Sequence, residues 1–311
     1  MSVYIVSFNS EDYIKRAIES VLMQEGDFEL EIIVSDDGST DNTKKIVEDF
    51  YTKYPKIIRT YFHKNNRGAN KNVEFAIKAC AGDFICHLDA DDYYLEGKIQ
   101  TQLIELIANE DCLMAVHNMQ VCYKDGSKSH LYYKNTKGHK GDFKKILRYG
   151  SGFCNSSNMF RRNVINDNCP KLDVEIVGDW LLTLQKLVNG KIYYSNKVLG
   201  VYYRHDKSLV RTSNNKISTV LEDYIKTINW AAKLDFVDDD DIHFAKQRIY
   251  FERSIRFLEK KDFFSFSKYI ELSKKHAKNN FFVNFVFLLR RFPRLILIIL
   301  KFRRLWVNER K

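Results

Sequence analysis

Apolar residues fall along this chain in two alternating rhythms up to about residue 212, and in a single rhythm after it. Apolar runs within residues 2–7, 31–35, 57–62 and 84–88 have the length and β-branched content of strands buried on both faces. Between them apolar positions recur every three or four residues, at Ile14, Ala17, Ile18, Val21 and Leu22, at Val47 and Phe50, and at Val73, Ala76, Ile77 and Cys80. Ser10 and Asp41 stand where helix N-caps belong, and Gly82 where the third helix must end. Strand and helix alternating over short connections predict right-handed crossovers and a mostly parallel sheet flanked by helices. Further on, the pattern predicts a helix over 98–108 and a strand over 113–119. It also predicts a strand with small polar residues on one face over 152–160, a helix from Gly178 through Leu187, and strands over 191–194 and 198–203. Residues 121–140 are polar and Tyr-rich, with no assignable period. From about residue 213 only helices are predicted, over 216–234, 239–261 and 263–278. The expected organisation is an α/β domain at 1–212, a helical extension at 213–280 and a basic amphipathic tail at 281–311.

Composition changes this picture in three places. Six cysteines (Cys80, Cys86, Cys112, Cys122, Cys154, Cys169) have no C-x-x-C spacing and mostly lie in apolar runs, so they read as reduced core thiols of a cytosolic protein. The strand pattern begins by residue 3, which leaves no room for a signal peptide in this reading. The net charge of +10 invites a nucleic-acid partner until it is located: residues 281–311 carry +7 and the remainder only +3. No nucleic-acid role is expected.

Chemistry concentrates at strand ends. Phe84-Ile85-Cys86-His87-Leu88 delivers Asp89-Ala90-Asp91-Asp92, and Glu31-Ile32-Ile33-Val34-Ser35 delivers Asp36-Asp37-Gly38-Ser39. Ligands of open α/β sheets bind beyond the carboxyl ends of the strands. Converging carboxylates there call for a hard cation, and Mg²⁺ keeps one or two protein carboxylates while substrate phosphates complete its shell. A second acidic site can receive a nucleobase N–H or ribose hydroxyls. Neither G-x-G-x-x-G nor G-x-x-x-x-G-K-[ST] occurs, so a dinucleotide enzyme and a P-loop NTPase are excluded. Asn42 stands where an EF-hand loop from Asp37 needs its glycine. What remains is a nucleotide-sugar site. His87, inside its strand, reads as a core histidine.

In order and spacing, SVYIVSFN, EIIVSDDGSTDNT, NRGANKN and FICHLDADD resemble the family 2 glycosyltransferases of GT-A fold, over about residues 2–210. The resemblance implies a Rossmann-like sheet, a nucleotide-sugar donor, Mg²⁺ or Mn²⁺, and inversion at the anomeric carbon. It assigns Asp37, with Asp36 beside it, to the donor nucleotide, Asp89 to ribose and metal, and Asp91 to metal. Gly178-Asp179-Trp180 is similar to the family's (E)DW motif with the first acid replaced, which makes Asp179 the expected catalytic base. Tyr203-Arg204-His205-Asp206-Lys207-Ser208 resembles a Y-R-x-H-x-x-S stretch with one residue deleted, which makes His205 a metal or diphosphate contact. In-line displacement by an acceptor hydroxyl independently requires one such base and no nucleophilic side chain. Asp173 and Glu175 are the reserve carboxylates; Arg67 and Arg211 could reach a phosphate, but exposed arginines are common and neither is assigned a role.

The expected function is transfer from a nucleotide-sugar, a UDP-sugar first, to a hydroxyl of a glycan or lipid-linked saccharide in surface-polysaccharide synthesis. A sugar nucleotidyltransferase would carry a Gly-rich basic loop after the first strand, where Ser7-Phe8-Asn9-Ser10-Glu11 stands instead. A silent nucleotide-sugar-binding homologue would have lost one of the acids. Apolar runs at 281–289 and 295–300, separated by Arg290, Arg291, Pro293 and Arg294, are too short to span a bilayer and suit its interface. The expected location is the cytoplasmic face of the cell membrane.

Overall fold

A computed structural model describes residues 1–124, 129–133, 138–164, 174–205, 217–277 and 280–299. The chain divides into two compact units, residues 1–146 with 151–214, and residues 147–150 with 215–311.

The first unit is built on a mixed sheet. Its opening half comprises β1 (Ser2–Ser7), α1 (Ile14–Leu22), β2 (Glu31–Asp36), α2 (Thr43–Lys53), β3 (Ile58–Phe62), α3 (Ala69–Ala79) and β4 (Phe84–Asp89). β1 pairs in parallel with β2 on one side and β4 on the other, and β2 pairs with β3, giving the order β3-β2-β1-β4. The chain reverses direction across the sheet between β1 and β4, and the crevice at such a switch point is where ligands bind. Register fixes what faces that crevice: Ser7 is level with Asp36, and Val6 with Asp89. Val3, Ile5, Ile32, Val34 and Leu88 have no exposed surface and form one cluster with Ile14, Ala17, Ile18 and Val21 of α1. Continuous apolar strands covered on both faces are what a parallel sheet demands.

The sheet continues as β4-β9-β6-β10-β5 with β5 (Tyr93–Tyr94), β6 (Cys112–Tyr123), β9 (Asn158–Arg161) and β10 (Lys191–Arg204). β9 lies antiparallel between β4 and β6, while β6 and β10 run parallel. Two short strands, β7 (His130–Leu131) and β8 (His139–Gly141), pair with β6 and β10. They fall in the stretch whose sequence shows no period. The remaining helices of this half are α4 (Lys98–Ala108), α5 (Phe143–Tyr149), which ends in the second unit's residues, and α6 (Gly178–Lys186). The mostly parallel α/β architecture with a helical C-terminal region is as expected.

Four local expectations need correction. Ser10 does not cap α1 with its side chain; its backbone carbonyl accepts from Tyr13 and Ile14, and its hydroxyl turns back to Phe8. Gly82 is not a left-handed helix stop. A side chain there would come within 2.8 Å of the Met1–Ser2 backbone, so the residue permits close approach to the edge of β1. Residues 155–157 form a 3₁₀ turn, so only the end of the expected 152–160 strand is β. The paired strands 191–194 and 198–203 are one strand, β10, interrupted by bulges.

The second unit contains α7 (Ile217–Ala231), α8 (Asp239–Glu259), α9 (Phe263–His276) and α10 (Phe281–Leu288), followed by a helical turn over 293–299. Asp238 and Asp241 form a capping box at α8, and Asp262 and Asn280 cap α9 and α10 through their side chains. Leu258, Phe266, Ile270, Val283, Val286 and Ile296 are its core. Among the described residues no helix is long and apolar enough to cross a membrane.

Candidate active site

The floor of the crevice is tied together by side chain to backbone bonds. The Asp36 carboxylate accepts the Ser7 hydroxyl at 2.9 Å, the Ser39 amide at 2.9 Å and the Ser39 hydroxyl at 2.5 Å. Asp37 accepts the amides of Arg67 and Gly68 at 2.8 and 2.9 Å, which fastens the loop that opens α3. Both residues are only 2% exposed. Asp41 accepts the Thr43 amide at the start of α2 and the Glu11 amide from the opposite loop, one residue before the formal cap Asn42. The Arg67 side chain lies against Phe75 and His63, not over the crevice.

The end of β4 is different. Asp89 and Asp91 keep 40% and 26% of their side chains open to solvent. His87 Nε2 meets Asp89 Oδ1 at 2.9 Å, and His205 Nε2 meets Asp91 Oδ2 at 2.9 Å. The His205 ring stacks on Tyr13 at 4.6 Å. Burial, and then the Asp89 charge, raise the Asp91 carboxyl above its ordinary value. Burial works on Asp89 in the same direction, but the charge and hydrogen bond of His87 hold it below the usual range. Both carboxylates therefore combine solvent access with partial burial. Asp92 belongs elsewhere: it is fully buried, accepting the Tyr203 amide at 2.9 Å and the Ser156 hydroxyl at 2.5 Å.

Asp179 lies in the first turn of α6, where its carboxylate accepts the Trp180 amide at 2.8 Å. The residue keeps surface open to solvent, yet its carboxyl is raised above the ordinary value, first by the desolvation around it and then, against the Trp180 hydrogen bond, by the Asp89 charge. The glycine that departs from the family motif has a steric cause. A Cβ on Gly178 would sit 2.2 Å from Asn70 Oδ1, and Asn70 Nδ2 donates to the Val174 carbonyl at 2.8 Å. Asn70, from the NRGANKN stretch, occupies the place of the missing side chain and ties α3 to the segment entering α6. Glu175 is exposed; Asp173 and Arg211 lie outside the described residues.

Several site residues escape a sequence reading. Ser156 donates to Asp92 and lies 3.3 Å from Asp89, and Asn155 approaches His87 Nε2 at 3.4 Å. Their signal was the small polar face of 152–160. Arg16 of α1 is sandwiched between Tyr93 and Tyr203 at 4.3 and 4.6 Å and donates to the Asp91 carbonyl at 3.1 Å. Position alone, in an amphipathic helix, gave no signal for it. A separate cleft of about 870 Å³ between α1, α2 and residues 93–96 contains none of these carboxylates. It is a groove between helices, apart from the strand-end carboxylates.

The description Glycosyl transferase family 2 matches residues 2–168, more than half of the chain. The chain belongs to that family. Among its relatives is the GalNAc(5)-diNAcBac-PP-undecaprenol beta-1,3-glucosyltransferase of Campylobacter jejuni, 28% identical over 225 residues, covering 69% of each protein. The chain spans 59% of the length of the first curated relatives it matches. A solved structure of Staphylococcus aureus TarS 1-349 in complex with UDP superposes with a TM-score of 0.66 at 19% identity, covering 94% of this chain and 86% of that one. The mannosyltransferase PcManGT of Pyrobaculum calidifontis, in complex with GDP-Man and Mn²⁺, gives 0.60 at 14% identity, covering 99% and 82%. These likenesses carry the fold.

Proposed function

We propose that this family 2 protein transfers a sugar, with inversion, from a UDP-sugar to a hydroxyl of a lipid-linked saccharide at a membrane surface. The observation that carries the reading is that two partly open carboxylates, Asp89 and Asp91, end β4, and a third, Asp179, on a different element, feels the Asp89 charge. The named activity of the Campylobacter relative and the UDP in the TarS complex favour the donor and acceptor class.

The residues fit a divalent cation. Asp89 and Asp91 supply hard carboxylate oxygens, and a cation would offset both causes that raise the Asp91 carboxyl, burial first and then the Asp89 charge. Among the described residues no three His, Cys, Asp or Glu side chains close a cage, so a diphosphate and water would complete the shell of Mg²⁺ or Mn²⁺. When bound, the ion neutralises charge developing on the leaving diphosphate. His205 contributes through its bond to Asp91. Asp37 uses two backbone amides and, like any carboxylate, has capacity for further donors, so it can add a nucleobase N–H, with Asp36 holding the turn beneath it. Asp179 takes the proton of the acceptor hydroxyl as that oxygen bonds the anomeric carbon and the carbon–diphosphate bond breaks.

The membrane reading rests on the second unit. Val283 and Val286 of α10 face its core, while Phe281, Leu288 and Phe292 are 81%, 71% and 63% exposed beside Arg290, Arg291 and Arg294. Exposed apolar residues flanked by cations suit the interface, each cation contributing about 1 kcal/mol near anionic lipid.

The deciding experiment measures UDP release from UDP-glucose, UDP-galactose and UDP-N-acetyl sugars with a lipid-linked saccharide present, with and without EDTA. Release that needs both acceptor and metal is expected. Release indifferent to EDTA would overturn the metal reading, and no release from any nucleotide-sugar would overturn the function. In parallel, replacing Phe281, Leu288 and Phe292 by Ser should abolish co-sedimentation with anionic vesicles; unchanged partition would remove the membrane from the reading.

A further inference from the structure

The chain buries a complete hydrogen-bonded relay behind one of its two open carboxylates. Tyr4 lies in the middle of β1 and His87 in the middle of β4, level in register and both essentially without exposed surface. Tyr4 Oη is 2.8 Å from His87 Nδ1, and the two rings meet edge to face at 4.8 Å. On its other side His87 Nε2 is 2.9 Å from Asp89 Oδ1, the oxygen of a carboxylate that is 40% open to solvent.

The tautomer follows from this geometry. An ionised carboxylate only accepts, so a bond of 2.9 Å to Asp89 requires the proton on Nε2. The Tyr4 hydroxyl serves Nδ1 in either state of the ring, donating to its lone pair when the ring is neutral and accepting from its N–H when the ring is charged, so Nε2–H faces Asp89 in both. Asn155 Nδ2, at 3.4 Å from Nε2, favours the opposite tautomer, but its contact is long and the carboxylate is charged. A histidine whose only task was to fill the core is more cheaply replaced by an apolar ring, because this one brings two polar atoms into a dry site. Its second partner is a carboxylate facing solvent, so its orientation is transmitted to the crevice.

We propose that His87, held on its far side by Tyr4, is a positioning residue that fixes the Asp89 carboxylate in the orientation required to receive the divalent cation. This rests on the metal reading above and adds the way the chain holds one of its two ligands. Outer hydrogen-bond partners of metal ligands commonly matter about 10- to 100-fold in metal affinity. The partner here is rigid because a strand carries it, it is buried, and its own far side is bonded.

The test measures Mn²⁺ binding directly, by electron paramagnetic resonance of free Mn²⁺ titrated into the full chain with UDP, for wild type, His87→Phe, His87→Asn and Tyr4→Phe. Wild type should bind Mn²⁺, and His87→Phe should weaken it roughly 10- to 100-fold. His87→Asn retains a donor near Asp89 and should recover part of that loss. Tyr4→Phe leaves the imidazole but frees its far side, and should fall between wild type and His87→Phe. Thermal melts are read on the same samples. Should His87→Phe not fold, Tyr4→Phe carries the same comparison with a smaller expected shift. Weakened Mn²⁺ binding in folded variants supports the assignment. Lower melting temperatures with unchanged Mn²⁺ affinity overturn it and leave the metal reading standing, whereas absence of Mn²⁺ binding by wild type overturns both.

Discussion

Two acidic pairs end the parallel strands on either side of β1, and their surroundings could hardly differ more. After β2, Asp36 and Asp37 are almost fully buried, and hydroxyls and amides from Ser7, Ser39, Arg67 and Gly68 meet their carboxylates. After β4, Asp89 and Asp91 remain partly open, each is met by one imidazole, and burial and the Asp89 charge push the Asp91 carboxyl upward. Carboxylates met by several donors of their own chain, like Asp36 and Asp37, hold loops in place first, even where spare acceptor capacity remains for a ligand as at Asp37. A pair whose repulsion is left for something outside the chain to relieve has the physics of a binding site. D-D-G-S and D-A-D look alike in sequence; what separates them is where their donors come from.

The contrast is broken most sharply at Asp91. Asp91→Ala is expected to lower kcat for metal-dependent transfer by at least about a thousandfold, since a bound cation is worth several kcal/mol of transition-state charge. Folding stability should stay level or rise, because a like charge leaves the end of β4. UDP release and thermal melts on the same preparation give both numbers. A variant that loses activity only in proportion to lost folded protein would make Asp91 another residue that holds a loop.

Asp179 sharpens the comparison from a different element. Asp179→Asn retains the acceptor for the Trp180 amide but cannot take a proton, so kcat should fall by about two orders of magnitude or more with donor KM held. Burial, followed by the Asp89 charge, raises this carboxyl, so the base becomes protonated at higher pH than an ordinary aspartate. Wild-type kcat should therefore decline on the acidic side as pH drops through that raised value, and the residual activity of the variant should lack this limb. An identical acidic limb in both proteins would place the base elsewhere.

At the closed pair the expected loss is of stability. Asp36→Ala strands the Ser39 amide and the Ser7 hydroxyl in a buried site, and an unmet buried donor costs about 1–3 kcal/mol. Urea unfolding should register that loss while kcat at saturating donor changes little. A collapse of kcat without loss of stability would move Asp36 into the site itself.

How much of this was legible beforehand depends on the range of the forces involved. The β3-β2-β1-β4 half follows from runs of Val, Ile and Leu and from helical spacing, because burial on both strand faces leaves a direct imprint on composition. The acids at the strand ends were equally plain. His87 was read as a core residue, and buried it is; that its outer nitrogen meets Asp89 depends on a side-chain orientation no spacing encodes. Ser156 and Asn155 arrive from a turn some 70 residues further on, through antiparallel β9, a strand inserted where the simple parallel pattern has none. Lys98, at the first position of α4, is fully buried over the Tyr94 ring at 4.1 Å, with burial lowering its pKa. Such tertiary contacts override local propensity without marking it.

The smallest expected effect lies at Asp92, which follows the open pair in sequence but shares the burial of the closed one. Burial and then the charges of Asp91 and Asp89 raise its carboxyl well above the usual value, although the Ser156 hydroxyl and the Tyr203 amide oppose the rise. A carboxyl whose folded pKa exceeds its unfolded value binds its proton more tightly when folded. Its contribution to stability is fully present below the unfolded value of about 3.9 and is lost as pH rises through the folded one. Asn at this position can accept from the Tyr203 amide and donate to the Ser156 oxygen without carrying charge. Asp92→Asn should therefore leave the site geometry intact and flatten the fall of Tm as pH rises from about 4. Subtracting the wild-type melting curve at each pH cancels the slopes of all other groups and leaves that of Asp92. A variant that loses stability at every pH by the same amount would show that Asp92 is already ionised in the fold, and that its donors outweigh the two neighbouring charges.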